Sequence, residues 1–413
     1  MAEITKKDRA ILRDLAKRVR DIAALPVMEE RRGLWKQHHA LCRPRAMILV
    51  FPEGSWRELL PEAALTCEGK QARGMEMNLR CRIYAQEHFA GDAVMEAEWV
   101  AGPLVRSSGW GLEPRRKPSP DSAMGAWAFE PVILDPGDLK KLRHPDLWVD
   151  EEATRRGREI AHDLFGGILR VREKGGCHVS FHLMNEYTSL RGLNQVMMDM
   201  YDNPGMLAEA MAFLEEGHRR RIRQMLALGV LALNNDGTYQ SSGGVGYTDE
   251  LPKPGYDGEH VRLCDLWASA EAQELALVSP EMHERFCLQY ERRLLEPFGL
   301  NGYGCCEDLT RKLDHVLRIP NIRRISIAPS ADVAKCAERL GRQAIFSWKP
   351  KPQMLVGGFD PKAIRQYLRE ALEATRGCVF EMILKDTHTC ENRPERFDTW
   401  VRLAREEVER LGE

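Results

Sequence analysis

No stretch of the 413-residue chain is apolar for anything near the ~20 residues a membrane-spanning helix needs. The charged opening from Met1 to Asp8 has no apolar signal core. A basic excess is missing as well. The formal net charge is −2, which argues against a general nucleic-acid or anionic-membrane binder, and clusters such as Arg115-Arg-Lys117 and Arg219-Arg-Arg221 read as solvated faces. The fingerprint G-x-G-x-x-G after an early strand, which would signal dinucleotide binding, is absent from the N-terminal half. The C-x-x-C spacing of a zinc ribbon is absent from both cysteine-bearing stretches of the C-terminal third. A cytoplasmic location is expected, where the 11 cysteines are reduced, buried, catalytic or metal-bound rather than paired as disulfides.

What is present is the composition of a globular chain, 43% hydrophobic and 30% charged, enough for a sizeable core. Residues 1–44 read as a helical extension with a break near Pro26. Residues 45–413 read as the catalytic domain, with 102–136 a long lid or excursion rich in Gly, Pro and Ser. Strands are expected in the stretches beginning at Ala46, Ala93, Cys177, Val230, Leu300, Arg324, Ala344 and Cys378, with helices interposed from Cys177 onward. Eight such units predict a parallel sheet closed into a (β/α)₈ TIM barrel, with a doubly wound open sheet as the alternative. Ser242-Gly-Gly-Val-Gly246 reads as a flexible loop.

In such a barrel the strand C-termini share one face, and the unusual residues of this sequence fall there. Glu53, Trp56, Asn234, Tyr239 and Trp348 are candidate substrate contacts, and His182, Asp236, Tyr303 and Glu307 candidate catalytic groups. Trp99, Trp110 and Trp127 are further aromatic candidates, although several of these rings suit a core equally well. Two stretches stand out, Gly299–Asp308 and Val379–Cys390. They supply Cys305, Cys306, His388 and Cys390, a sulfur-rich set suited to zinc, with Glu307 or His182 as additions. A zinc with an open position would lower the pKa of a bound thiol and present it as a nucleophile. The plainer readings stand beside these. Cys177, Cys264, Cys287, Cys336 and Cys378 suit a core, Glu307 suits a helix cap, and His182 suits a core histidine.

The helix start Leu277-Val-Ser-Pro-Glu-Met-His-Glu-Arg-Phe286, the ending Cys390-Glu-Asn-Arg-Pro-Glu-Arg-Phe397 and the order of elements resemble the uroporphyrinogen decarboxylase superfamily, from about Arg45 to the C-terminus. That resemblance implies a (β/α)₈ barrel and one of two branches. The decarboxylase branch carries M-R-Q-A-G-R after its first strand, where this chain has Leu49-Val-Phe-Pro-Glu-Gly-Ser55. The other branch consists of zinc methyltransferases with an H-x-C motif and a later cysteine. The matching stretches here are Tyr303-Gly-Cys-Cys-Glu307 and Thr387-His-Thr-Cys390, with Tyr303 or Gly304 in the histidine's place. The implied activity is methyl transfer between a small molecule, a methyl donor such as a methoxylated aromatic or a thiol acceptor, and methylcobalamin on a separate corrinoid protein. The D-x-H-x-x-G pattern of a corrinoid-binding domain is absent from this chain. The alternatives are a metal-free decarboxylase or lyase, with His388 or Asp236 as acid–base group, and a non-catalytic barrel.

Overall fold

The computed structural model describes residues 4–117 and 128–412; Trp127 and the rest of 118–127 lie outside the described residues. The chain is α/β, built on a parallel sheet of seven strands: β1 (Met47–Val50), β2 (Ser180–Phe181), β3 (Trp267–Ala270), β4 (Leu300–Tyr303), β5 (Ile322–Ile327), β6 (Ile345–Trp348) and β7 (Val379–Leu384). Their order is β1-β7-β6-β5-β4-β3-β2, and every neighbouring pair is parallel. Among the described residues the hydrogen-bonded ladder does not close, because β1 and β2 are its two edges. A separate parallel pair, Glu98–Val100 with Arg170–Arg172, stands outside it. No helix among the described residues is long and apolar enough to cross a membrane.

Strand periodicity sorts the side chains into two faces. Ile48, Phe181, Ala268, Ala270, Ile325, Ile327, Phe346, Trp348, Met382 and Leu384 belong to the large core shared with the surrounding helices. The opposite, inner face carries Ser269, Arg324, Ser326, Ser347 and Glu381, an unusually polar set for buried strand positions, with the half-buried Ser180 beside Ser269.

The glycine-rich stretch fills that inner face. It is a two-stranded hairpin, Tyr239–Gln240 against Gly244–Val245, and Gln240, Ser242 and Gly244 are buried. A flexible loop was expected there. The stretch is instead packed against the sheet, and its glycines are needed for close approach. A Cβ on Gly244 would land inside the Arg324 guanidinium, and one on Gly243, at φ +101°, would lie 2.9 Å from Ile383 Cγ2. Gly302 of β4 reciprocates, since a Cβ there would be 2.7 Å from Ser241 Cβ.

Three further differences from the sequence expectation have physical causes. Val230–Asp236 forms no strand beyond a single bridge between Gly176 and Leu231. Asn234 explains why that suffices: its Nδ2 donates to Cys177 O (2.8 Å) and Trp267 O (2.9 Å), while Oδ1 accepts from Trp267 N (2.9 Å). One amide thus replaces a stretch of ladder, a structural place for a residue expected to touch substrate. The strand Trp267–Ala270 was missed, since Ala and Ser lack the β-branched signal on which strand recognition rests. The 102–136 stretch has structure of its own, with Val105–Ser107 paired to Leu147–Val149 and Arg115–Lys117 paired to Ala128–Glu130.

The N-terminal segment forms two helices, α1 (Lys6–Ala23) and α2 (Pro26–His39). α1 packs on the helix Lys70–His88, and α2 ends with His38 and His39 buried at the sheet's inner face. Replacing Gly244 by alanine is expected to destabilise the fold by about 1–3 kcal/mol through overpacking against Arg324. A urea midpoint equal to that of the wild type would show that the hairpin is not seated there.

Candidate functional site

The C-terminal ends of the parallel strands point one way, and the loops that follow them assemble the candidate site. Cys305 and Cys306 follow β4, Lys385 and Asp386 follow β7, and Glu53 follows β1. His182 follows β2, and Glu271 directly follows β3. Glu53 (φ +48°), Asp386 (φ +58°) and Ser241 (φ +53°) all hold left-handed backbone conformations without being glycine. Glu53 and Asp386 sustain each other's geometry, since Asp386 N donates to Glu53 Oε2 (2.9 Å). Strained backbone of this kind persists where surrounding structure fixes it, often beside functional groups.

The sulfurs of Cys305 and Cys306 lie 3.5 Å apart. Ser242 Oγ, from the inserted hairpin, donates to Cys305 Sγ at 3.4 Å and accepts from Lys385 Nζ at 3.2 Å. Donation from Cys306 pulls the Cys305 thiol down to about 6, aided by Ser242 and the Lys385 ammonium and opposed by burial. The same bond, with burial and the Asp386 carboxylate, pushes the Cys306 thiol far up. The pair therefore shares one ionisation, and the anion resides on Cys305. Burial works against the Lys385 charge, but Tyr239, Cys305, Asp386 and Glu53 keep its pKa above the ordinary value, so the cation is retained.

Glu307 is fully buried and holds this loop. Its Oε2 accepts from Cys305 N (2.8 Å) and its Oε1 from Ala272 N (3.2 Å), while burial followed by Glu271 raises its pKa to about 7. His182 Nδ1 meets Glu271 Oε1 at 2.6 Å, and Glu271 Oε2 accepts from Gln273 N at 2.9 Å. Burial disfavours the imidazolium, yet Glu271 outweighs it and raises the His182 pKa, with the Cys305 charge adding to the effect. Sequence reasoning missed Glu271 because it directly follows the missed strand. Lys349, which the sequence places at a strand end, has its Nζ bonded to Ser347 O (3.0 Å) and Oγ (2.7 Å), and burial lowers its pKa to about 7.

Several expected residues stand elsewhere. Tyr303 faces the helices, its hydroxyl donating to Glu291 Oε2 (2.9 Å) beside His283 Nε2 (2.8 Å). Trp348 lies on the same outer face, against Tyr367 and Phe380. Asp236 is held by Lys174 (2.7 Å) and Arg172 (3.1 Å), and Lys174 foremost among these partners lowers its pKa against the effect of burial. Tyr239, between Phe51 and His178, remains at the site's edge beside Lys385, whereas Trp56 packs edge-on to Tyr84.

The expected zinc set comes together only in part. Asp386 Oδ2 lies 3.8 Å from Cys306 Sγ, placing one carboxylate beside the sulfur pair. Cys390 is fully buried on the far side of the Glu58 carboxylate, with Sγ 3.1 Å from Oε2, and His388 is exposed. Among the described residues no group of three or more His, Cys, Asp or Glu side chains is disposed to hold a metal ion. The four-residue set does not fit a tetrahedral zinc site as arranged. The chemistry available here is that of the sulfur pair and its polar neighbours.

No family model matches the chain, and no curated protein matches it. Among solved structures, a methyltransferase from Methanosarcina mazei overlaps 91% of this chain and 98% of its own at 13% identity, with a TM-score of 0.47. Likeness at that level decides no activity.

Replacing Glu271 by glutamine removes the carboxylate foremost in raising the His182 pKa and leaves burial less opposed. The His182 ring is expected to titrate at a lower pH than in the wild type by NMR. An unshifted titration would refute the pairing.

Proposed function

We propose that this chain is a methyltransferase of the corrinoid-linked kind. It moves a methyl group between a small molecule, such as a methoxylated aromatic, and a separate corrinoid protein, with Cys305 as the reactive sulfur. The seven-stranded sheet is read as a (β/α)₈ barrel left open at one seam. The observation that carries the proposal is the Cys305–Cys306 pair at the end of a parallel strand, which concentrates one sulfur anion next to the Lys385 cation.

A thiolate suits attack on a methyl carbon. The sulfur lone pair forms the S–CH₃ bond as the methyl–oxygen bond of the donor breaks, and the oxygen departs with that electron pair. Passing the methyl on to the acceptor breaks the S–C bond, returns its electron pair to sulfur and regenerates the Cys305 thiolate. The leaving phenolate needs a proton, and His182, whose pKa the Glu271 carboxylate raises, is assigned as the acid for it. Lys385 and Ser242 hold the thiolate in the site before reaction. Zinc, the metal the resemblance implies, would find two sulfur donors in Cys305 and Cys306, but Cys390 and His388 do not converge with them, so the sulfur itself is assigned the reaction.

Incubation with an isotopically methyl-labelled aryl methyl ether is expected to place one labelled methyl on Cys305, seen in the peptide mass, with one equivalent of phenol released. Cys305→Ser should carry no label, and His182→Gln should slow labelling by roughly 10²–10⁴-fold, the usual contribution of a positioned acid. Phenol release undiminished in Cys305→Ser, or label found on another residue, would overturn the assignment.

A further inference from the structure

The unclosed seam of the sheet holds a cavity of about 610 Å³. It is a cleft partly open to solvent, and its volume falls within the range of small-molecule sites. One wall is the β1 edge with Phe51, Pro52 and Trp56, and the facing wall is Trp99 and Val100 of the separate strand pair. The helix Lys70–His88 roofs it with Cys81, Arg82 and Ala85. The lower part of the β1 edge is sealed, because Asp92 exchanges bonds with Ile48 (Ile48 N to Oδ2 2.8 Å, Asp92 N to Ile48 O 2.8 Å). The open part lies above it.

The walls are largely apolar, and the carboxylates among them are already engaged. Glu96 Oε1 accepts from Arg32 Nε (3.0 Å) and the Tyr247 hydroxyl (2.8 Å). Glu98 takes Arg170 (2.9 Å) and Arg172 (3.1 Å), and Asp236 takes Lys174 and Arg172. Arg82 is the exception. Its Nη1 donates to Glu98 O (3.0 Å) and its Nη2 to Glu96 O (2.6 Å), both backbone carbonyls, and among the described residues no carboxylate pairs with it. A guanidinium has five N–H donors in a planar fork, so donors remain for a ligand. Burial lowers its pKa despite the more distant Glu98 and Glu96 carboxylates, which marks a partly desolvated charge without a matching anion.

We propose that this seam cavity binds an organic monocarboxylate with an apolar ring body, its carboxylate on Arg82 and its rings between Trp56 and Trp99. A half-buried cation lacking an ion-pair partner gains from a ligand that completes a charge-assisted, bidentate pair, and the apolar walls favour a hydrocarbon body over a sugar or nucleotide. The proposal does not depend on the Cys305 chemistry.

The test is calorimetric titration of the full chain with naphthoate and its uncharged isostere naphthamide. Naphthoate is expected to bind saturably with one site per chain, at least tenfold tighter than naphthamide. Arg82→Gln should erase that preference while retaining naphthamide binding. Val100→Trp, at a half-exposed rim position compatible with folding, should weaken both ligands. Saturable binding of neither ligand, naphthamide binding as tightly as naphthoate, or a naphthoate preference that survives in Arg82→Gln would overturn the proposal.

Discussion

The buried ion pair between Arg324 and Glu381 is the constraint on which the rest of the structure depends. Nε of Arg324 donates to Glu381 Oε1 at 2.8 Å inside the sheet, with both side chains about 1% exposed. Two charges so deep are costly unless every remaining valence is met. Most are met here, from three directions; of the pair's own polar atoms only Nη1 of the Arg324 guanidinium is left without a hydrogen-bond partner among the described residues. His38 and His39 arrive from the end of α2, Val245 O comes from the hairpin at 3.1 Å, and Trp267 offers its ring face to the guanidinium at 5.4 Å. Burial raises the Glu381 pKa, but Arg324 and His38 more than reverse this and hold its carboxylate ionised. The N-terminal helices, the sheet and the glycine-rich hairpin are thereby locked to one another at a single polar centre.

From that centre the hairpin delivers Ser242 to the strand ends. There its hydroxyl links the Lys385 ammonium to the Cys305 sulfur, so the reactive group depends on a segment anchored at the opposite side of the inner face. Glu307 fixes the same loop from behind by accepting the Cys305 amide. The site is thus positioned by buried polar bonds more than by apolar packing. An inner face lined by Ser, Arg and Glu is what those bonds require, and a hydrocarbon-filled one would have left the hairpin no partners.

Much of this was legible from sequence. The parallel α/β architecture follows from strands alternating with helices, and the importance of the Cys305–Cys306 stretch follows from placing thiols among Gly, Glu and Asp beyond an apolar strand. The inner face was not legible, because alternation shows that a strand has two faces without saying which is filled by a distant hairpin. Asn234 looked like a pocket residue because a polar side chain after an apolar run signals a strand end, whereas it substitutes for missing ladder bonds. Tyr303 and Trp348 looked functional by position along their strands, and the period of two turned both toward the helices. Glu271 was hidden by Trp267-Ala-Ser-Ala270, whose small residues carry little strand signal. The separation of Cys390 from Cys305 rests on Glu58, a residue whose spacing in sequence gives no hint of the contact.

The central claim is that the vicinal thiols carry one anion, on Cys305, at neutral pH. Ultraviolet thiolate absorbance recorded against pH tests it most directly. The account predicts one thiolate appearing as pH rises through about 6 in the wild type, absent from Cys305→Ser and displaced upward in Cys306→Ser, which removes the donor foremost in lowering it. A wild-type protein with no thiolate step below the ordinary cysteine range near 8.5, or a low step that persists without Cys305, would contradict it.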